Sequence, residues 1–350
     1  MHFNKKDCLF RQSFLLRQRE NYRAHFKASK RLLKKKNIKS NMQNQITDTI
    51  LMIRPENFRR NEQTMVNNYY QKKDENSLPI ATHKKALEEF DEFVKNLTSA
   101  GIQVIIADDA KDTDTPDAIF PNNWISFHKN KTVAVYPMFA KNRRLERRDE
   151  ILDIIENKGF LIENVVDYTQ AEKENIFLEG TGSIILDRTN NKAYCGLSAR
   201  SNEELFIEFC EDFEYTPVLF TANQSIKGER KAIYHTNIMM SIGETFAVVC
   251  SDAIDDKKER KNVIKQLKES KKQIITISEA QVNQFAGNIL QVKNNKNETF
   301  LVMSTSAYKS LDRNQIDQLK KHTNIIHSNL STIEKNGGGS ARCMMAEIFL

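Results

Sequence analysis

Three sequence features are missing from this 350-residue chain, and each absence excludes a class of protein or site. The five cysteines are widely and irregularly spaced and include no CxxC pair, so neither a disulfide framework nor a structural zinc site is supported. No run approaches about 18 uncharged apolar residues, which excludes a membrane-spanning helix. No GxGxxG opens a helix and no Lys follows a glycine loop in P-loop register, so a nucleotide-phosphate loop is not expected.

The remaining composition is that of a folded protein in a reducing compartment. Hydrophobic residues make up 39% of the chain and charged residues 28%, which supports a buried core and excludes a fully disordered chain. The length fits one large domain or two ordinary ones. The cysteine pattern favours a cytoplasmic location.

Positive charge is concentrated at the N-terminus. Residues 1–41 hold 13 Lys and Arg against two acids, a net charge of +11. The other residues hold 40 basic against 44 acidic side chains, a net charge of −4. The folded part is therefore not expected to bind nucleic acid or a membrane, and a small molecule is the expected partner.

The basic segment allows three interpretations. It could be a transit-like presequence, a basic arm for a phosphate-rich partner, or an extension with no folded role. It contains no Gly or Pro, and Met42 lies where the composition changes. We expect residues 1–41 to be a disordered extension and residues 46–350 to form a single folded domain.

From Thr49 onward the sequence predicts alternating strands and helices. Short apolar runs such as TILMI, QVIIAD and FLIENVV predict strands, and AIFPNNWISF, KTVAVYP and KAIYHTNIMMSIG are also strand-like. Helical periodicity recurs at roughly 55–60-residue intervals, which favours a repeated architecture of five units over an ordinary mixed sheet. The predicted helices cover about 82–100, 145–158, 202–213, 255–269 and 312–321.

The C-terminal sequence NGGGSARCMMAEIFL contains a candidate nucleophile. The three glycines, 337–339, permit positive φ angles and close approach of another group. Ser340 is a good N-cap, so ARCMMAEIF predicts a short helix with Cys343 in its first turn, where a thiolate is favoured. Alternatively, Cys343 is a small core residue.

A nucleophilic cysteine needs an acid–base partner, and two motifs could supply one. His235 lies in an apolar run beside Thr236 and Asn237, where a histidine can equally be a satisfied core residue. Glu179 ends the apolar run of NIFLEGTGSIILD at a Gly-Thr-Gly turn, which suggests close approach of a ligand. The alternative is a plain turn with an exposed acid.

Together with DAIFPNNW at 117–124 and LSARSN at 197–202, the EGTG, YHTN and GGGSARC motifs resemble the guanidine-modifying, or amidinotransferase, superfamily. The resemblance covers about residues 46–350 and is greatest to the citrulline-utilisation hydrolase CtlX branch. It implies an α/β pentein fold, a five-bladed α/β propeller with pseudo-fivefold symmetry. This agrees with the five-unit period.

The resemblance also implies residue roles. Cys343 would be the nucleophile, His235 the general acid and base, and Glu179 the group that orients substrate nitrogens and His235. Arg200 would bind the substrate α-carboxylate. No metal or cofactor is expected, because no His, Cys or Asp cluster has metal-ligand spacing. A second carboxylate anchor among Arg143, Arg144, Arg147 and Arg148 is left open, as is the oligomeric state.

Two asparagines distinguish the chain from arginine-type members of the superfamily. Asn123 and Asn237 occupy positions where those members usually carry aspartate. A guanidinium is a permanent cation that favours carboxylates, whereas a neutral ureido group can pair with an amide through both its carbonyl and its N–H groups. The pattern favours citrulline over arginine, unless one of the two positions is misaligned.

The predicted activity is a cysteine-dependent hydrolase that acts on the ureido carbon of citrulline. Its products would be ornithine, ammonia and carbon dioxide, formed through a covalent cysteine adduct. Arginine deiminase, methylarginine hydrolase and amidinotransferase activities on a guanidino substrate are alternatives. A non-catalytic, ribosome-binding pentein is an alternative of another class, which would suit the basic N-terminal segment.

Overall fold

The computed structural model describes residues 44–72 and 78–350, so the predicted N-terminal extension lies outside the described residues. None of the described helices is long and apolar enough to cross a membrane. The strands are β1 (Thr49–Arg54), β2 (Gln103–Asp108), β3 (Ile125–His128), β4 (Thr132–Val135), β5 (Asn164–Asp167), β6 (Ile184–Asp187), β7 (Lys192–Leu197), β8 (Thr216–Thr221), β9 (Asn223–Ile226), β10 (Glu229–Ala232), β11 (Met240–Ile242), β12 (Phe246–Val249), β13 (Gln273–Thr276), β14 (Leu290–Lys293), β15 (Thr299–Ser304), β16 (Asn324–Ser328) and β17 (Ala346–Glu347). The helices are α1 (Pro79–Ser99), α2 (Glu150–Asn157), α3 (Gly180–Ser183), α4 (Glu203–Asp212), α5 (Lys257–Glu269), α6 (Glu279–Val282), α7 (Thr305–Ser310), α8 (Arg313–Lys320) and α9 (Ser331–Gly337).

One three-stranded sheet recurs five times. Its first two strands are antiparallel, its second and third are parallel, and at least one helix connects the parallel pair, as a parallel crossover requires. The five predicted helices therefore each form this crossover, and the predicted five-unit repeat is confirmed. The sheets are β3-β4-β5, β6-β7-β8, β11-β12-β13, β14-β15-β16 and β17-β1-β2.

The fifth sheet joins the two ends of the described chain. β17 pairs antiparallel with β1, with Ile50 opposite Glu347 and Leu51 opposite Ala346. The first strands of several neighbouring sheets also contact each other, β17 with β3, β6 with β11 and β11 with β14. The short segments that precede these first strands are thereby brought together.

The helix that follows β1 illustrates why the units fold as they do. In α1, Ala86, Phe90, Phe93 and Leu97 are buried at a spacing of three to four residues, so one face packs on the core. Gly101 follows with a φ of +83°, the left-handed conformation that favours glycine after a helix. The predicted helix is confirmed.

Three local predictions are wrong. Residues 341–349 do not form a helix, because Cys343 lies in a turn, with its N–H bonded to Ser340 O, and β17 follows. The strand-like runs around Asn123 and His235 are interrupted by the 3₁₀ turns Pro121–Asn123 and Thr236–Ile238. In each case strand pairing, rather than local propensity, decides where the strand begins: β17 pairs with the distant β1, and β3 and β11 pair with the strands that follow them, β4 and β12.

Gln45 ties the beginning of the described chain to two units. Its Nε2 donates to Leu186 O at 2.8 Å and Ile242 O at 3.2 Å, and its Oε1 accepts from Arg188 N at 2.8 Å. Leu186 belongs to β6 and Ile242 to β11. One buried amide therefore satisfies three backbone groups from two sheets.

Gln45→Ala should lower the free energy of unfolding by about 1–3 kcal/mol, because buried backbone groups lose their partners. Chemical denaturation monitored by circular dichroism measures this change. Asn44→Ala is the matched control, since Asn44 is exposed and adjacent. Equal stability of the two variants would show that Gln45 does not join these units.

Candidate active site

The site is assembled from short segments that precede the first strand of each sheet. Asn123 lies in the turn before β3, Glu179 immediately precedes α3 before β6, and His235 immediately precedes the turn before β11. Asn288 lies two residues before β14 and Cys343 three residues before β17. All five units therefore contribute a side chain to one region, although the residues span more than 200 positions.

The structure brings together all of the site residues predicted from the sequence. Asn123, Arg200, His235 and Cys343 line one pocket. Glu179 is bonded to His235, and Asn237 to Cys343. Further pocket-lining residues are Asn68, Asp117, Phe120, Arg143, Tyr234, Gly337 and Gly339.

Glu179 and His235 form a fully buried pair. His235 Nε2 lies 2.7 Å from Glu179 Oε2. Although burial opposes ionisation, Arg200 and His235 lower the pKa of the Glu179 carboxyl to about 2. Burial lowers the pKa of His235 to about 4, against the opposing effect of Glu179. At neutral pH the pair is thus a carboxylate and a neutral imidazole.

This charge state fixes the tautomer of His235. The ionised Glu179 carboxylate can only accept hydrogen bonds, so Nε2 of the imidazole carries the proton. Nδ1 then has a free lone pair, and it is buried without a hydrogen-bond partner. His235 is therefore equipped to accept a proton in the pocket.

Arg200 holds the carboxylate of Glu179 in place. Its Nη1 lies 3.4 Å from Glu179 Oε2, its Nη2 donates to Thr64 O at 2.9 Å, and its Nε donates to Asn67 Oδ1 at 3.0 Å. The guanidinium also lies over the Tyr234 ring, 4.7 Å from its centre. Most of its donors are thus used within the protein, and carboxylate binding by Arg200 stays a prediction.

Of the four arginines that were candidates for a second anchor, Arg143 is the one that lines the pocket. It is buried, forms a two-point ion pair with Glu146, and donates from Nη1 to Asn123 Oδ1 at 2.7 Å. Asn123 Nδ2 in turn donates to Asn122 Oδ1 at 2.8 Å. The Asn123 amide is therefore held in one orientation. Arg144 and Arg147 pair instead with Glu172, and Arg148 donates to Asp108 O.

Cys343 is 2% exposed and lies beside two amides. Asn288 Nδ2 is 3.1 Å from Sγ, and Asn237 Nδ2 is 3.5 Å from it. Burial raises the pKa of the Cys343 thiol above its ordinary value. A backbone hydrogen bond from the Ser340 turn, the two amides and the charge of Arg342 oppose that rise only in part. At neutral pH Cys343 is therefore a thiol beside a neutral His235, not a thiolate beside an imidazolium.

Sequence reasoning missed two side chains that the structure places in the site: Asn288, beside Cys343 Sγ, and Asp117, in the pocket. Asn288 lies just before the first strand of the fourth unit, as His235 and Cys343 lie before the first strands of their own units. The five-unit period could therefore have indicated Asn288. Asp117 begins the DAIFPNNW motif, and its Oδ1 is buried in the pocket without a partner. Burial raises the pKa of Asp117, which Arg143 and Arg200 counteract.

The segment from Asn61 to Gln71 packs against the site. Asn61 and Thr64 donate to Asp117 Oδ2 at 2.8 and 3.1 Å, and Asn68 and Gln71 donate to Gly337 O. Gly338 has a φ of +65°, and a Cβ there would lie 2.6 Å from the Asn68 amide. The predicted need for glycine is confirmed at this position.

Gly182→Ala should reduce kcat by about 100-fold or more, because a Cβ would lie 2.5 Å from Asn123 Nδ2 and 2.9 Å from His235 Nδ1. Gly196→Ala is the control, since its Cβ would meet neighbours at 3.4 Å, an ordinary contact. Steady-state kinetics and thermal melts test the pair. Full activity of a folded Gly182→Ala variant would show that Asn123 and His235 do not lie beside the reacting atoms.

The sequence matches a known protein family. A family model described as N,N dimethylarginine dimethylhydrolase, eukaryotic, matches residues 54–350. No curated protein matches the sequence significantly. Among solved structures, the N-terminal domain of ArgZ, an arginine dihydrolase from the ornithine–ammonia cycle in Cyanobacteria, has 17% identity and a TM-score of 0.66. That match covers 86% of this chain and 97% of the ArgZ domain.

A second solved structure, DDAH from Pseudomonas aeruginosa in complex with citrulline, has 16% identity and a TM-score of 0.58. That match covers 87% of this chain and 99% of the other. At these identities the two structures show the fold, and the predicted five-bladed α/β propeller of the pentein type is confirmed. The family match extends over most of the chain. This chain therefore belongs to the N,N-dimethylarginine dimethylhydrolase family within the pentein superfamily of guanidino-modifying enzymes, and it is a hydrolase that acts on carbon–nitrogen bonds.

Proposed function

We propose that this hydrolase acts on the ureido carbon of citrulline and releases ornithine, ammonia and carbon dioxide. The observation that carries the proposal is the pair of neutral amides around Cys343 Sγ. Within the described residues, no carboxylate is hydrogen-bonded to this sulfur. A neutral ureido group can exchange hydrogen bonds with amides, whereas a guanidinium would lack a compensating charge there.

The remaining charges of the pocket suit the amino-acid end of such a substrate. Asp117 Oδ1 is an unpartnered acceptor and can bind an α-ammonium group. Arg200 and Arg143 line the pocket and are the candidates to bind the α-carboxylate, although each is also paired with a buried glutamate, Glu179 and Glu146 respectively. Glu179 is already paired with Arg200 and His235, so its charge is compensated within the protein.

The protonation states of Cys343 and His235 indicate the order of the proton transfers. His235 Nδ1 accepts the Cys343 thiol proton, and the thiolate attacks the ureido carbon. His235, now an imidazolium stabilised by Glu179, gives that proton to the departing ammonia. The adduct is then a thiocarbamate between Cys343 and the substrate amine.

Water completes the cycle. His235 takes a proton from water, which attacks the adduct and regenerates the Cys343 thiol. The product is a carbamic acid, which loses carbon dioxide to give ornithine. One water is consumed per citrulline, and the reaction needs no oxidant or reductant.

A guanidino substrate is the second candidate, favoured by the free carboxylate oxygen of Asp117 and by the family match. Asp117 could pair with a cationic guanidinium rather than an α-ammonium group. An arginine or methylarginine would then lose its terminal amine to give citrulline.

A substrate panel should distinguish the two candidates. Citrulline should yield equimolar ornithine and ammonia, whereas agmatine, which lacks the α-carboxylate, should be a poor substrate. Amino-acid analysis and an ammonia assay measure the products of citrulline, arginine, agmatine and methylated arginines. Formation of citrulline from a methylarginine, with no ornithine from citrulline, would establish the guanidino alternative.

Asn237→Asp should lower the citrulline-to-arginine ratio of kcat/KM by about tenfold or more. The carboxylate loses the amide donor and gains a charge-assisted bond to guanidinium, typically about 1.5–3 kcal/mol. Asn123→Asp should have a smaller effect, because Arg143 Nη1 lies 2.7 Å from the Asn123 carbonyl and would neutralise the new charge. An unchanged ratio of kcat/KM in Asn237→Asp would show that Asn237 does not select the substrate.

Cys343→Ser should abolish turnover in a folded protein, because the buried hydroxyl is a far weaker nucleophile than a thiolate. Cys210→Ser is the matched control, since Cys210 is also buried but belongs to α4, away from the pocket. His235→Asn is expected to retain any adduct formed, which mass spectrometry of the quenched protein detects. Substantial turnover by Cys343→Ser would place the nucleophile elsewhere.

A further inference from the structure

A thiolate at Cys343 can be stabilised by groups that lie near its sulfur. The helix N-terminus expected from the sequence is absent, because β17 begins at Ala346. The neighbouring cation, Arg342, is engaged by Met345 O at 2.8 Å and by Glu347 Oε2 at 2.6 Å. Hydrogen bonds to Sγ are therefore the main candidates. In the described part of the chain these include the backbone of Ser340 and the side-chain amides of Asn288 and Asn237, each of which lowers the pKa of the Cys343 thiol.

The orientation of the Asn288 amide is fixed by four contacts. Its Oδ1 accepts from Cys343 N at 3.3 Å, while its Nδ2 donates to Asn237 O at 3.1 Å, to Asn237 Oδ1 at 3.2 Å and to Cys343 Sγ at 3.1 Å. The flipped amide would place its NH₂ against the Cys343 N–H and its oxygen against two carbonyl oxygens. Asn288 is also fully buried, so water does not compete for these bonds.

The two amides respond differently to loss of the thiol proton. Asn237 contacts Sγ through both ends of its amide. Its Oδ1, 3.7 Å away, can accept the S–H bond, which exists only while Cys343 is protonated, and its Nδ2 is a donor at 3.5 Å, longer than the Asn288 contact. Asn288 points a donor at the sulfur from 3.1 Å, and a hydrogen bond to an ionised acceptor is about twice as strong as one to a neutral acceptor. The Asn288 bond therefore favours the thiolate over the thiol.

We propose that Asn288 acts directly on the nucleophile: its Nδ2 stabilises the Cys343 thiolate, while its Oδ1 fixes the turn that presents the sulfur. The fixed amide supplies in this fold the electrostatic stabilisation that a helix N-terminus would otherwise provide. This role rests on Cys343 being the nucleophile of the proposed reaction, and it does not depend on which amino acid is hydrolysed.

Alkylation of Cys343 by iodoacetamide tests the role without substrate. The rate of modification of the Cys343 peptide, followed by mass spectrometry across pH, gives the pKa of the thiol. In Asn288→Ala the midpoint should move upward by about one pH unit, with an approximately tenfold slower reaction at pH 7.5. Asn294→Ala is the matched control, a buried asparagine that bonds Ala100 O and Glu298 instead, and its midpoint should equal that of the wild type.

Asn288→Asp keeps the test valid if the alanine variant does not fold. Aspartate has the same shape and retains the acceptor for the Cys343 N–H, but it replaces the donor to Sγ with a carboxylate oxygen. Its midpoint should lie above that of the wild type. A midpoint unchanged from the wild type in a folded Asn288→Ala or Asn288→Asp variant would overturn the proposal.

The outcome separates this inference from the proposed function. If wild-type protein hydrolyses citrulline but both Asn288 variants titrate normally, the role of Asn288 alone is rejected. If the midpoint shifts as expected but citrulline is not hydrolysed, the thiolate role stands and the substrate assignment fails.

Discussion

The antiparallel pairing of β17 with β1 is the constraint on which the site depends. It involves only the last few residues, with Leu51 opposite Ala346 and Ile50 opposite Glu347. Because β17 completes the fifth sheet, the turn that precedes it joins the corresponding turns of the other units. Cys343 thus meets His235 and Asn288, which come from two other sheets.

The buried charges explain why this convergence is stable. Ionised side chains removed from water need partners, and Glu179 receives hydrogen bonds from Phe139 N, His235 and Arg200. Arg143 is likewise paired with Glu146. The exception is Asp117, one of whose oxygens has no partner, and unsatisfied buried polar atoms are expected where a ligand supplies the missing bond. Asp117 therefore gives the pocket a buried acceptor atom that a ligand can bond.

The family assignment gives the class of reaction, whereas the amides around the Cys343 sulfur bear on the substrate. The family match and the shared fold establish a hydrolase of carbon–nitrogen bonds within the pentein superfamily. A fold shared at 16–17% identity leaves the substrate to the particular side chains in the pocket. Here the neutral side chains beside Cys343 support a ureido substrate, and Asp117 is the feature that keeps a cationic alternative open.

The sequence by itself determined the five helix-and-strand units, and its motifs singled out Cys343, His235 and Glu179 as candidate site residues, because periodicity and unusual motifs are local properties. It did not determine the strand at the C-terminus, the position of Asn288 beside Cys343, or which of four neighbouring arginines lines the pocket. Each of these depends on contacts between residues far apart in the chain. A short segment such as ARCMMAEIF has adequate helix propensity, but hydrogen bonds to β1 exist only after the units have assembled, and only the tertiary structure could decide in favour of the strand.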